Sequence, residues 1–129
     1  LFYCVYDAQS RKLHYTNAGH LPPLYVAGRS VHKLETGGTV IGLFDDCVYE
    51  QGSLGIEPGS LLVAYSDGLI EPENVYGEQF GIQRMTNVIQ ANRQATPGIL
   101  ATTLMSAVDE WAGAPEQADD MTLIIARWD

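Results

Sequence analysis

Two acidic motifs stand beside apolar runs in this chain of 129 residues. Asp67 follows the run Leu61–Tyr65 after a single serine, and Asp119 and Asp120 come shortly before the run Leu123–Ala126. Carboxylate oxygens are the ligands that hard divalent cations such as Mg²⁺ and Mn²⁺ prefer. Two like charges held close together repel each other, and a bound cation removes that cost. If the two motifs meet in the fold, they predict a divalent-metal site.

Strand parity gives a reason for the two motifs to meet. The runs Leu61–Tyr65 and Leu123–Ala126 do not alternate between apolar and polar residues, which is typical of strands covered on both faces. Two helices that reverse direction between the strands return the chain antiparallel to its earlier path. The end of the first strand then lies beside the start of the second. We therefore expect Asp67 and either Asp119 or Asp120 to share one edge of a sheet.

The two predicted helices are amphipathic. Thr96 and Pro97 are typical of an N-cap and a first helical position, and Gly113 is typical of a helix end. Apolar residues recur at helical spacing in both segments. They are Ile82, Met85, Val88 and Ile89 in the first helix, and Leu100, Leu104, Ala107, Val108 and Trp111 in the second.

The first 66 residues have the pattern of β structure, with short apolar or β-branched runs separated by turn residues. Asp7–Lys12 and Gly28-Arg29-Ser30 are the expected hairpin turns, and Glu57-Pro58-Gly59 is a third turn. Strands followed by two helices and a last strand predict an α+β fold. The expected strands are Leu1–Tyr6, Leu13–Asn17, Leu24–Ala27, Val31–Leu34 and an edge strand at Val48–Leu54.

Composition excludes several classes of protein. A formal net charge of −9 argues against nucleic acid and against an anionic membrane surface as partners, since both recruit Lys and Arg. No apolar stretch is long enough to span a bilayer, and the start of the chain lacks the features of a signal peptide. Cys4 and Cys47 form no C-x-x-C pair, so a reducing, cytoplasmic setting is expected. Without an initiator Met, the chain is expected to be a piece of a longer protein.

Five ordered motifs resemble the PPM family of metal-dependent serine/threonine phosphatases, in its bacterial SpoIIE/RsbU-like branch. The resemblance spans nearly the whole chain, and the order of the motifs makes it more specific than any one of them. The motifs are Asn17–Pro23, Ile41-Gly42-Leu43, Tyr65–Glu71, Tyr76–Gly81 and Asp119–Leu123.

The resemblance implies a fold and a chemistry. The implied fold is an α/β/β/α sandwich of antiparallel sheets, of which residues 1–129 would form a partial version with two helices inserted before the last strand. It also implies two Mn²⁺ or Mg²⁺ ions in the intact domain, where a metal-bound water attacks a phosphoserine or phosphothreonine. Implied partners are a phosphoprotein substrate such as an anti-sigma-factor antagonist, and an upstream sensor or receiver domain.

The resemblance also assigns roles to single residues. Asp67 matches a metal ligand of the family, and Asp119 matches the ligand that opens the last motif, with Asp120 as the second choice. Gly68 allows close backbone approach beside Asp67. Asn17 and His20 belong to a loop near the site, in which we expect Asn17 and Gly19 to take unusual backbone angles and His20 to hydrogen-bond locally. The other interpretation makes His20 a proton donor to the leaving group.

One ligand of the family has no counterpart in this chain. The family's bridging aspartate lies in a G-G-D-like motif further toward the N-terminus, and Asp7, Asp45 and Asp46 are interpreted as polar loop acids. We therefore expect residues 1–129 to be the C-terminal part of a phosphatase domain, weakly active or inactive by itself. Self-association through uncovered strand edges or apolar faces is also expected. The alternative is a phosphatase-like module that binds proteins in signal transduction without catalysis.

Overall fold

The computed structural model describes residues 1–113 and 120–129 of the chain. The helices α1 (Gly81–Ala91) and α2 (Pro97–Ala112), with a short 3₁₀ helix at Asp67–Leu69, fall between the last two strands. The strands are β1 (Phe2–Asp7), β2 (Lys12–Ala18), β3 (Leu24–Ala27), β4 (Ser30–Lys33), β5 (Gly37–Gly38), β6 (Gly52–Gly55), β7 (Leu61–Tyr65) and β8 (Leu123–Arg127).

The strands form two sheets that define an α+β fold. In sheet I, β2 pairs antiparallel with β1 and β6 and parallel with the two-residue strand β5. Sheet II has the order β4-β3-β7-β8, and every pairing in it is antiparallel. The predicted fold class is confirmed, including the two helices inserted before the last strand.

Sheet II lies between the helices and sheet I, so its central strands β3 and β7 are covered on both faces. The prediction that Leu123–Ala126 is covered in the same way is wrong, because β8 is an edge strand without a buried residue and Ile124 is 62% exposed. On one face, Leu61, Val63 and Tyr65 of β7 are buried with the apolar stripes of α1 and α2. On the other face, Tyr25 and Leu62 pack with residues of sheet I. The layers are therefore helix, sheet II and sheet I. This arrangement explains why β7 does not alternate in sequence.

The residues predicted to begin and end α2 do so in the structure. The hydroxyl oxygen of Thr96 accepts a hydrogen bond from the backbone N–H of Ile99 at 3.3 Å, and Pro97 is the first residue of α2. Gly113 ends the helix in the left-handed conformation, with a φ of 65° that favours glycine. Buried core positions of the helices include Met85, Leu104 and others of the two predicted stripes.

The strand predicted at Val48–Leu54 is wrong in its first half, because β6 begins only at Gly52. Val48 is 84% exposed, and the carbonyl of Glu50 accepts a hydrogen bond from the hydroxyl of Thr16 at 2.9 Å instead of a ladder N–H. Gly52 then allows regular pairing, since a Cβ there would overlap the ring of Tyr15. The parallel strand β5 was not predicted, because two consecutive glycines carry no strand pattern.

Within the described part of the chain, no helix is both long enough and apolar enough to cross a membrane.

Leu104 of α2 is fully buried in the helix-facing core, so we expect Leu104→Ala to lower the free energy of unfolding by about 2–5 kcal/mol. Urea denaturation followed by circular dichroism measures the change. Ile99 lies on the same helix and is 58% exposed, so Ile99→Ala is the control and is expected to cost less than about 1 kcal/mol. Equal losses in both variants would contradict the assignment of Leu104 to the core.

Candidate active site

Asp67 stands at the point where buried strand β7 gives way to the 3₁₀ helix. The N–H groups of Ile70 and Glu71 both donate to the Asp67 carbonyl, at 3.0 and 2.9 Å, and fix its backbone. Leu69, two residues further on, is fully buried and anchors the turn in the core. The side chain of Asp67 is exposed. A solvent-facing carboxylate is thus held on a rigid backbone.

Asp120 lies beside this turn because β7 and β8 pair antiparallel, with Tyr65 opposite Leu123. Ser66 extends the pairing by one step, since its N–H donates to the carbonyl of Thr122 at 2.9 Å. The Ser66 hydroxyl accepts from the N–H of Thr122 at 2.8 Å and donates to the carbonyl of Asp120 at 3.2 Å. We call these three hydrogen bonds the Ser66 clasp.

Gly68 brings the two acidic segments into direct contact. A Cβ at Gly68 would overlap the backbone carbonyl of Asp120, so the close approach depends on the absence of a side chain. Asp120 is exposed, like Asp67. The expectation that the two motifs share a sheet edge is therefore confirmed for Asp67 and Asp120. Asp119, the preferred ligand of the pair, lies outside the described residues.

The loop from Asn17 to Pro23 lies at the same end of sheet II. It leads into β3, whose first residue Leu24 pairs with Val63, two residues before the end of β7. The segment that leads into β3 therefore lies near the end that carries Asp67, and its role at the site stays a prediction.

Within this loop, the local hydrogen bonding predicted for His20 is confirmed. Its ring nitrogen Nδ1 lies 2.6 Å from the carbonyl of Leu21, which can only accept, so Nδ1 carries the proton. Gly19 has the expected positive φ, at 83°. The prediction of an unusual backbone for Asn17 is wrong, because Asn17 is an extended residue of β2. Its buried side chain instead donates to the Leu34 carbonyl and accepts from the His20 N–H, at 3.1 and 2.8 Å.

Asp45 and Asp46 match their interpretation as loop residues, whereas Asp7 is the last residue of β1 and pairs with Lys12. The carboxylate of Asp7 accepts from the hydroxyl of Ser10 at 2.8 Å and the N–H of Gln9 at 3.0 Å, and these bonds hold its pKa below the ordinary value. Asp45 and Asp46 are exposed in the connection between β5 and β6. None of the three residues matches a metal-binding motif of the family that the sequence resembles.

The donor set at the shared edge fits a divalent cation in kind but is too small in number. Mg²⁺ and Mn²⁺ prefer carboxylate oxygens, which Asp67 and Asp120 provide. In residues 1–113 and 120–129, no group of three or more His, Cys, Asp or Glu side chains is placed to hold a metal. The described residues therefore offer two carboxylates at this edge, which are too few to hold a metal by themselves.

Sequence reasoning missed a feature next to the site, the hairpin from Glu73 to Gln79. Its strands meet in an isolated bridge between these two residues, and its tip exposes Val75 and Tyr76. The Asn74-to-Gly77 turn signal was available in the sequence, but nothing there distinguishes an ordered hairpin from a loose loop. Phe80, which follows the hairpin, is buried in the helix-facing core.

The sandwich is that of PP2C phosphatase domains. It superposes on the PP2C domain of SiaA from Pseudomonas aeruginosa with a TM-score of 0.85 at 21% identity, covering 99% of this chain and 51% of that one. The phosphatase domain of SpoIIE from Bacillus subtilis, in a Mn-presoaked crystal, matches with a TM-score of 0.75 at 25% identity. That match covers 100% of this chain and 56% of the other.

The profile of the family called stage II sporulation protein E (SpoIIE) matches residues 1–129, and the chain belongs to this family of PPM-type phosphatase domains. One relative is the phosphoserine phosphatase RsbU of Bacillus subtilis, which is 32% identical over 132 residues and covers 98% of this chain. The chain spans only 20% to 38% of the length of the curated relatives it matches first. It covers about half the length of the two solved phosphatase domains named above.

Because a Cβ at Gly68 would meet the Asp120 carbonyl, we expect Gly68→Ala to push the two acidic segments apart and to destabilise the fold by about 1–3 kcal/mol. Thermal denaturation measures this loss. Gly98→Ala is the matched control, since no atom of the described residues lies within 4 Å of its added Cβ. It stands in the first turn of α2, where alanine favours the helix. A Gly68→Ala protein as stable as the control would contradict the close contact.

Proposed function

We propose that residues 1–129 are the C-terminal part of a phosphoprotein phosphatase domain that hydrolyses phosphoserine or phosphothreonine. The observation that carries the proposal is the antiparallel pairing of β7 and β8, which sets Asp67 and Asp120 at one edge with Gly68 against the Asp120 backbone. Membership of the SpoIIE family and the likeness to RsbU, itself named a phosphoserine phosphatase, support it.

In this proposal the acids of the shared edge are metal ligands. Asp67 holds a divalent ion with Asp119, and Asp120 is the second choice for that place. The hard oxygen donors suit Mn²⁺ or Mg²⁺, and two such ions would supply an activated water and neutralise charge on the phosphoryl oxygens. The relative solved from a Mn-presoaked crystal supports this choice of metal. The proposal is supported by the β7–β8 pairing and the Ser66 clasp, which hold the backbone of Asp67 next to that of Asp120.

The rest of the site would come from outside residues 1–129. The family's bridging aspartate has no match in this chain, and the described residues offer only two acids at the edge. We infer that the 129-residue chain alone is weakly active or inactive, and that the parent protein is the enzyme. Its proposed setting is cytoplasmic bacterial signalling, with an anti-sigma-factor antagonist as substrate and an upstream sensor or receiver domain as regulator.

In the full-length parent protein, we expect Asp67→Asn to weaken Mn²⁺ binding at least about tenfold, which corresponds to about 1.4 kcal/mol. Removing a ligand charge should also lower hydrolysis of a phosphoserine peptide by at least about a hundredfold. Calorimetric titration with Mn²⁺ and a phosphate-release assay measure the two effects. Asp46→Asn is the control, because Asp46 is an exposed loop acid outside the shared edge.

Two outcomes would contradict the proposal. Equal Mn²⁺ binding by the parent protein and its Asp67→Asn variant would remove Asp67 from the site. A parent protein that neither binds Mn²⁺ nor releases phosphate would favour the alternative, a non-catalytic module that binds proteins in signal transduction. Strong Mn²⁺-dependent hydrolysis by residues 1–129 alone would instead show that the site needs no further ligand.

A further inference from the structure

The Glu73–Gln79 hairpin is ordered by its own hydrogen bonds. The Asn74 side-chain oxygen accepts from the N–H groups of Tyr76 and Glu78, at 2.9 and 3.0 Å. The backbone adds bonds from the Asn74 N–H to the Glu78 carbonyl at 2.9 Å and from the Gly77 N–H to the Asn74 carbonyl at 3.0 Å. Gly77 takes a φ of 77° at the turn, a conformation that favours glycine.

The base of the hairpin is fastened to both helices. The indole N–H of Trp111 in α2 donates to the Glu78 carbonyl at 2.8 Å. Arg84 of α1 donates to the carbonyls of Gln79 and Phe80, each at 3.1 Å. The Arg84 guanidinium carbon also lies 3.9 Å from the centre of the Trp111 ring, at cation–π distance. The hairpin is therefore held rigidly against the two helices at its base.

The hairpin is also fixed relative to Asp67. The N–H of Glu71, just before the hairpin, donates to the Asp67 carbonyl at 2.9 Å. After the hairpin, the N–H of Gly81 donates to the carbonyl of Ile70 at 2.8 Å. Both ends of the hairpin thus return to the turn that carries Asp67, so its tip keeps a constant position relative to the candidate metal ligand.

At the tip, this rigid element presents two large apolar side chains to water. Val75 is 87% exposed and Tyr76 is 83% exposed. An apolar side chain that stays exposed adds nothing to the stability of the fold, whereas burying it against a partner lowers the free energy of the complex by about 25 cal/mol per Å². Tyrosine held on a rigid support is a frequent anchor of protein interfaces, because little entropy is lost when it is covered.

The charges beside the tip indicate the kind of partner. Glu73 and Glu78 are exposed in the hairpin itself and Glu71 is exposed just before it, and Glu78 meets Arg84 only in an exposed pair at 3.6 Å. These carboxylates favour a partner that carries Lys or Arg next to an apolar side chain. A small phosphate ester has neither feature, whereas a protein segment can have both.

We propose that the Glu73–Gln79 hairpin is a docking element for the phosphoprotein substrate, with Val75 and Tyr76 receiving an apolar residue of the substrate that is flanked by a basic one. This inference rests on the proposed function. Docking through the tip selects the protein substrate by its sequence outside the phosphorylated residue, while Asp67 and the Asp119–Asp120 pair belong to the reaction itself.

The test uses the full-length parent protein and two kinds of substrate. One is p-nitrophenyl phosphate, which has no peptide segment that could dock at the tip. The other is a set of phosphoserine peptides with a Phe-Arg pair placed three to nine residues from the phosphoserine, each matched to a peptide with Ser-Gly there. The doubly substituted variant Val75→Ser, Tyr76→Ser removes the apolar tip. Ile99→Ser, at the exposed start of α2 and at the opposite end of the sheet from Asp67, is the control.

We expect the unsubstituted protein to prefer at least one Phe-Arg peptide by about tenfold in kcat/KM, a size typical of one interface anchor. The double variant should lose this preference and keep its activity on p-nitrophenyl phosphate within about twofold, whereas Ile99→Ser should keep both. Loss of p-nitrophenyl phosphate hydrolysis in the double variant would overturn the inference, because the tip would then support the site itself.

Three further outcomes also overturn the inference. Hydrolysis of p-nitrophenyl phosphate without any peptide preference would show that the hairpin does not dock substrates, while the proposed function stands. No hydrolysis of any of these substrates would mean that the proposed function fails, and the inference with it. A shift from dimer to monomer in sedimentation of the double variant, with peptide preference unchanged, would assign the tip to self-association.

Discussion

The pairing of β7 with β8 is the constraint on which the candidate site depends. Five residue pairs hold the two strands in register, and the Ser66 clasp continues the contact beyond the last pair. Asp67 and Asp120 are therefore positioned by hydrogen-bonded strand backbone. Gly68 completes the arrangement, because only a residue without a side chain lets the two segments touch.

At this edge, buried residues lie directly next to exposed ones. The strand before Asp67 and the leucine after it are buried, while the carboxylate itself faces water. The same division recurs in the Glu73–Gln79 hairpin, whose base is bound to Trp111 and Arg84 and whose tip is open. In both places the core supplies rigidity, and the groups that can meet a ligand are left at the surface. Such pre-organisation lowers the entropy lost when a ligand binds.

Much of the fold was predictable because strong local signals agreed with the global packing. The non-alternating run of β7 indicated a strand covered on both faces, and Thr96, Pro97 and Gly113 marked the ends of α2 correctly. Strand parity alone predicted that Asp67 shares a sheet edge with Asp119 or Asp120, and the structure confirms this for Asp120. Whether Asp119 shares that edge stays a prediction, since it lies outside the described residues.

Other features were not predictable, because they depend on contacts between distant residues. The start of β6 is decided by Thr16, whose hydroxyl takes the carbonyl of Glu50, and by Gly52, which leaves space for the Tyr15 ring. The strand predicted at Leu13–Asn17 includes Asn17, but no local signal shows that its side chain joins two segments through Leu34 and His20. The ordered hairpin was also missed, since Trp111 and Arg84 stabilise it from helices later in the sequence.

The Ser66 clasp joins groups 54 to 56 positions apart in the chain, so a growing polypeptide carries Asp67 long before the strand that completes its surroundings has been synthesised. Contacts of such long range slow folding, because the entropy of closing the intervening chain is lost before the contacts form.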